Sequence, residues 1–289
     1  TNAVSQSPWT LPATMSFFTS LYSNQHTLTN KFSVFTESRK ELARLPRRVS
    51  TLAQVFQRNG YATAAFTGDA GLGGHFGFSS GFDVYFDTVT FGGFDTTFPL
   101  ALDWLESHQD RKFFLFVHGY DVHGQFPVPA GFTSRFSSAT YRGAASGSPA
   151  EYMDRRIRSI KVDPLGLSEQ DVDFWKDRYD EKVIGADDRF ARFWKRLSSL
   201  PSAGRTIVVI MSDHGDQFLE HGGFDHGMTL YDEVIRVPLI IHAPADAGAR
   251  IESQVRLIDV MPTLADWCGL RLDAETRRQM QGVSLLPLM

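Results

Sequence analysis

Residues 206–244 read TIVVIMSDHGDQFLEHGGFDHGMTLYDEVIRVPLIIHAP. The stretch opens on a β-branched apolar run, 206–211, short enough for a buried strand. The run stops at Ser212, and Asp213, His214 and Gly215 follow at once. A polar, glycine-rich loop comes next and carries His221 and His226. A second apolar run, 237–242, predicts another strand. A strand that ends in Asp-His-Gly presents a carboxylate and an imidazole side by side at its carboxyl end, where open α/β sheets build their sites. Any one of these histidines alone reads as a solvated loop residue or a satisfied core residue. Together with the neighbouring carboxylates they are the ligand types that a divalent cation takes.

The rest of the chain extends this pattern outward. Residues 97–109 predict a helix, and KFFLFV at 112–117 a buried strand. That strand also ends in polar groups: His118, Tyr120, Asp121 and His123, within HGYDVHGQFPVP. TLAQVFQRNG at 51–60 predicts a short amphipathic helix stopped by Gly60, followed by a strand at 61–66. Residues 67–96 read as a long loop packed by its phenylalanines, with Asp69 and His75 as further site candidates. Residues 23–50 read as loop and exposed turn, with a basic patch at 39–48. Residues 130–167, rich in Ser, Gly and Ala, read as a surface excursion bordering the substrate. A long helical pattern runs from 167 to about 200, with Phe190 and Phe193 on its core face. Another helix is predicted at 258–268, ended by Gly269. Near the start, Pro12 suits a first helical turn, and Phe17, Phe18 and Leu21 share one face. Thr10 then sits just before a helix N-terminus, where backbone N–H groups and the dipole favour an anion.

Several ordered elements carry a resemblance. Asp213-His214-Gly215, Glu220-His221-Gly222, His226-Gly227, Leu230-Tyr231-Asp232-Glu233 and Arg236-Val237-Pro238-Leu239-Ile240 follow one another in that order. In that order they resemble the sulfatase family of the alkaline phosphatase superfamily. The helix–Gly–strand unit at 51–66, the loop after 117 and the closing phrase QGVSLLPLM extend the likeness over nearly the whole chain. The resemblance implies an α/β fold with a mostly parallel sheet sandwiched between helices, as one catalytic domain over 1–289. It implies a divalent cation (Ca, Mg, Mn or Zn) held by Asp213, His214 and Thr10. By position, His123 is the family's active-site histidine, which hydrogen-bonds the transferred group or protonates the leaving oxygen. Asp121 belongs to the same Asp-x-His pair and is a further candidate. His226 falls where many sulfatases carry a Lys. A neutral imidazole there is a weaker anion clamp but can act as a general acid near neutral pH.

The nucleophile segment departs from the family pattern. Ordinary sulfatases carry Cys-x-Pro-Ser-Arg there, and the Cys is matured to formylglycine. Laid onto this chain, the Cys position is Thr10, the Pro is Pro12, and the Ser and Arg positions are Ala13 and Thr14. Threonine cannot become formylglycine. It resembles instead the phosphodiesterase and phosphotransferase branches, where a Thr alkoxide attacks phosphorus. The family also begins with an apolar strand ending in metal-binding Asp, upstream of the nucleophile. Nine residues precede Thr10 and none forms such a strand. The expectation is therefore a domain truncated at its N-terminus and at its C-terminus, with a large apolar cleft where the strand belongs and weak metal binding.

Three readings follow. One is a sulfatase-like hydrolase of sulfate or phosphate esters of small molecules, glycans or lipids. The second is a two-metal phosphodiesterase or phosphotransferase, with His221 or His226 among the ligands. The third is a sulfatase-fold binding module without chemistry. The chain has 289 residues, 42% of them hydrophobic, and a net charge of -4, which suit one large α/β domain and no nucleic-acid partner. Its single cysteine, Cys268, excludes an internal disulfide. No apolar run approaches the ~18 residues of a membrane span.

Overall fold

The computed structural model describes residues 2–37, 39–137, 140–244 and 248–289. Strand β1 (Ala3–Val4) leads into helix α1 (Thr10–Thr19) and the single turn α2 (Ser23–His26). Residues 23–50, read from sequence as loop, also hold a hairpin of β2 (Phe32–Phe35) and β3 (Lys40–Leu42). Phe32 and Val34 of β2 share the partly buried face, and Ser33 and Phe35 the exposed one. Helix α3 (Leu52–Arg58) starts where expected. Thr51 accepts from the Gln54 N–H and the Gln54 side chain accepts from the Thr51 N–H, a reciprocal cap. Strand β4 (Ala62–Phe66) follows, all of it buried. The long loop expected at 67–96 contains a short strand, β5 (Val84–Phe86), too brief to show a period.

Helix α4 (Phe94–Glu106) and strand β6 (Phe113–Val117) come next. The excursion at 130–167 contains a helix that the sequence reading missed, α5 (Pro149–Lys161), and the long helix α6 (Glu169–Leu197) follows. Then come β7 (Val208–Met211), the hairpin β8 (Gln217–Phe218) and β9 (Phe224–Asp225), and the turn α7 (Asp232–Ile235). The apolar run at 237–242 is two strands, β10 (Arg236–Val237) and β11 (Leu239–His242), because Pro238 cannot donate to a ladder. Strand β12 (Val255–Arg256), helix α8 (Val260–Trp267) and helix α9 (Ala274–Gln279) complete the chain.

The central strands form two pieces. One is the parallel sheet β5-β4-β6, the other the antiparallel pair β11-β7. Side chains alternate between two layers. Phe114 and Phe116 pack with Leu11, Phe18, Phe56 and Met261, from α1, α3 and α8. Phe113, Leu115 and Val117 pack with Phe98, Leu105, Phe193 and Leu197, from α4 and α6. The sheet is thus sandwiched between helices, as expected.

Strands β6 and β7 face each other across a gap. Among the described residues β6 pairs only with β4, and β7 only with β11. Arg111, Lys112, Arg205 and Thr206 lie at one end of the gap, and His118 and Asp213 at the other, so the two strands run the same way. The gap is a cavity of about 640 Å3, lined mostly by apolar side chains. The residues of both strands are therefore half-buried rather than buried, a correction to the sequence reading. A strand inside a two-sided sandwich loses water on both faces only when both of its edges are paired.

The first helix is anchored by a neutral histidine. His26 is fully buried beneath α1. Its Nδ1 accepts from the Leu28 N–H at 3.1 Å, so Nε2 carries the proton and donates to Ser16 Oγ at 3.1 Å. Burial pushes its pKa down to about 4. The unfolded chain takes up this proton near pH 6.5 and the folded chain only near pH 4. Stability is therefore full above about pH 6.5 and falls as pH drops toward 4, by about 3 kcal/mol. Urea midpoints at pH 7 and pH 4.5 should differ more in the wild type than in His26→Gln. Equal pH dependence in the two proteins would refute this role.

Candidate active site

The site lies at the carboxyl ends of β6 and β7, beside the start of α1. Trp9 is the extended residue before α1, so Thr10 is its first helical residue, one place further in than expected. No side chain caps this N-terminus, and its first-turn N–H groups are left for a ligand. Thr10 is buried, and its Oγ1 lies 3.2 Å from His214 Nε2. His214 Nδ1 sits 2.9 Å from the carbonyl of Gly215, which fixes the proton on Nδ1 and turns the Nε2 lone pair toward Thr10. Asp213 Oδ2 is 3.6 Å from the same nitrogen. That oxygen is buried without a hydrogen-bond partner. Burial opposes its ionisation, but His214, His118 and the Thr10 hydroxyl outweigh it and hold the carboxyl below its usual range.

One lone pair, one hydroxyl and one unpartnered carboxylate oxygen converge here. These donors fit a divalent cation. Gly215 is needed for the turn: a Cβ there would lie 2.3 Å from the Glu233 carbonyl. His118 Nδ1 and Thr14 Oγ1 are likewise buried without partners where the gap between β6 and β7 meets the site.

The His226 ring lies tilted against His214, with centroids 4.1 Å apart, and His123 lies 5.1 Å from His226, edge to face. His226 Nδ1 contacts two carboxylates, Asp216 Oδ1 at 2.6 Å and Asp225 Oδ1 at 2.9 Å. Burial works against its charge, but Asp216 and Asp225 outweigh burial and push its pKa up to about 10. His226 is therefore a cation at neutral pH, not the neutral imidazole expected from sequence. His123 goes the other way. Burial, then the His226 charge, push it down to about 4, so it is neutral. The facing histidines are thus a cationic donor and a neutral donor–acceptor.

Thr10, Asp213, His214, His123 and His226 come together. The other candidates have contacts of their own. Asp121 is buried and accepts from the Phe94 N–H at 2.7 Å, tying down the start of α4. It also pairs with Arg189 at 3.4 Å. His221 stacks on Tyr231 and bonds Glu233 at 2.8 Å, with nearly half of its side chain exposed. His75 is exposed, with its ring tilted against that of Phe76. The Asp69 main chain is held in a turn by Leu72 and Val89.

Sequence reading missed Asp216 and Asp225, although both stand beside the motif histidines. His214, Asp216 and His226 offer ligand atoms all within 4.8 Å of one another. It also missed Tyr152 and Lys182, which no motif marks.

Comparison with known proteins bears on the family and the fold. The family model described as Sulfatase matches residues 1–270. Mouse arylsulfatase K is 23% identical over the whole of this chain, which covers 56% of that protein. A delta 4,5-hexuronate-2-O-sulfatase of Bacteroides thetaiotaomicron is 36% identical over 104 residues, 33% of this chain and 20% of that protein. The phosphonate monoester hydrolase of Agrobacterium radiobacter superposes with a TM-score of 0.72 at 19% identity, over 99% of this chain and 69% of that one. The chain spans little more than half of the mouse relative. On the family match, the fold and the order of its site residues, this chain belongs to the sulfatase family.

Proposed function

We propose that the chain is the catalytic part of a metal-dependent hydrolase of anionic esters, with Thr10 as nucleophile. Sulfate esters are the first substrate class and phosphate esters the second. The observation that carries this reading is the convergence of Thr10 Oγ1, His214 Nε2 and the unpartnered Asp213 Oδ2 at the uncapped start of α1. A divalent cation held by these three residues would supply the positive charge that favours an ionised hydroxyl and a polarised ester.

The chain's own residues do the rest. The α1 N–H groups and dipole attract the anionic group of the ester. The cationic His226, with Nδ1 engaged by its carboxylates, offers Nε2–H to a non-bridging oxygen. Neutral His123, beside it, donates a hydrogen bond to the group in transfer. His214 Nε2, 3.2 Å from Thr10 Oγ1, fixes the position of the hydroxyl beside it. Without an arginine at position 14, the formylglycine route of ordinary sulfatases has no basis here.

A second reading is a two-metal phosphodiesterase or phosphotransferase. The grouping of His214, Asp216 and His226 favours it, because two carboxylates on Nδ1 would orient Nε2 as a ligand. Elemental analysis, with parallel assays of aryl sulfates and phosphodiesters, separates the readings. One metal with sulfatase activity supports the first. Two metals with phosphodiesterase activity support the second. Neither metal nor turnover, at any divalent cation concentration, overturns both.

A further inference from the structure

Helices α5 and α6 lie outside the strand–loop motif, yet they reach beneath both site histidines. Tyr152, on α5, is buried, and its Oη donates to Asp225 Oδ1 at 2.5 Å. Arg156, one turn further along α5, forms an ion pair with the other oxygen of Asp225. Asp225 has its own oxygen on His226 Nδ1. Its backbone is left-handed, with φ at +78°, although it is neither glycine nor exposed. Such a conformation persists in a non-glycine residue when its surroundings over-determine it. Here the surroundings are Tyr152, Arg156 and the pairing of Asp225 with Gln217.

The other histidine is held from the same side. Lys182, on α6, donates from Nζ to the carbonyls of His123 at 3.3 Å and Gly124 at 2.8 Å. Its ammonium lies 5.6 Å from the centre of the Tyr152 ring. Gly124 leaves room for that ring: a Cβ there would fall 1.7 Å from Tyr152 Cζ. One tyrosine thus touches the main chain beside His123 and the carboxylate behind His226.

We propose that Tyr152 is a positioning residue. Its hydroxyl fixes the Asp225 carboxylate and thereby the aim of His226 Nε2 at the anion, while its ring and Lys182 fix the loop that carries His123. The inference rests on the reading that His226 clamps the anionic group. It adds that the clamp is built by a helical excursion and not by the motif alone. A carboxylate behind a site histidine sets the ring's tautomer and orientation, and its own partner fixes the carboxylate.

A double-mutant cycle tests the proposal, with inorganic phosphate and inorganic sulfate as probes. Binding is measured by calorimetry at pH 7 on wild type, Tyr152→Phe, His226→Gln and the double variant. Thermal melting checks that each is folded. Arg156→Gln replaces Tyr152→Phe if the latter fails to fold. The expected result is anion affinity about five- to tenfold weaker in Tyr152→Phe, with no further loss when Tyr152→Phe is added to His226→Gln. An equal loss in both backgrounds would show that Tyr152 only supports the core. It would overturn the proposal and leave the anion clamp standing. Unchanged affinity in His226→Gln would remove the clamp itself, and the proposal with it.

Discussion

Thr10→Ala lowers turnover of the metal-loaded protein by about a hundredfold or more, the scale of losing an activated nucleophile. The Thr hydroxyl ionises far above neutral pH, so it depends on its neighbours to become reactive. Those neighbours are His214 Nε2 at 3.2 Å and the cation that it would hold together with the buried Asp213 carboxylate. Thr10→Ser keeps the hydroxyl and should keep much of the activity. Thr10→Cys, made in a host that matures sulfatase cysteines, should not restore ordinary sulfatase chemistry, because Thr14 replaces the arginine of the maturation motif. Sulfate esters and phosphodiesters are to be assayed in parallel. Equal rates for wild type and Thr10→Ala on every ester would reduce Thr10 to the first residue of a helix.

Asp213→Ala lowers divalent metal affinity at least tenfold, about 1.4 kcal/mol. Asp213 Oδ2 is buried beside His214 Nε2 with no hydrogen-bond partner. A divalent cation would satisfy this buried carboxylate oxygen. Titration with Mn2+ and with Zn2+, followed by elemental analysis after dialysis, measures the effect. Asp213→Asn should fall between wild type and alanine, since one oxygen donor survives. Occupancy equal to wild type in Asp213→Ala would end the assignment of this residue as a ligand.

How much could be read without coordinates depended on how local each feature was. Strand β7, the turn at Gly215 and the histidines after it lie in one unbroken stretch, and their placement follows from period and punctuation. The Asp121 carboxylate shows where such reading ends. It stands in a motif-like Asp-x-His pair, but its partners, Phe94 and Arg189, are distant in sequence. The charge of His226 was misjudged for the same reason. It depends on two carboxylates that converge only when β8 and β9 form their hairpin. Helix α5 was legible in principle, because Ser148, Pro149 and Glu151 form a cap, first-turn proline and first-turn acid. What Tyr152 reaches from that helix was not.

A peptide seated in the gap between β6 and β7 would make folding a matter of mass action. Among the described residues, each strand presents a row of backbone donors and acceptors toward it that no other strand takes up. An extended apolar peptide lying in it would hydrogen-bond to both, and only the folded chain could hold it. Stability would then rise with the logarithm of that peptide's concentration, by about 2.7 kcal/mol at a hundred times its dissociation constant. Because the gap ends at His118 and Asp213, the same peptide would close the site from beneath. Occupancy of the sheet and order in the catalytic groups would then be two readings of one equilibrium.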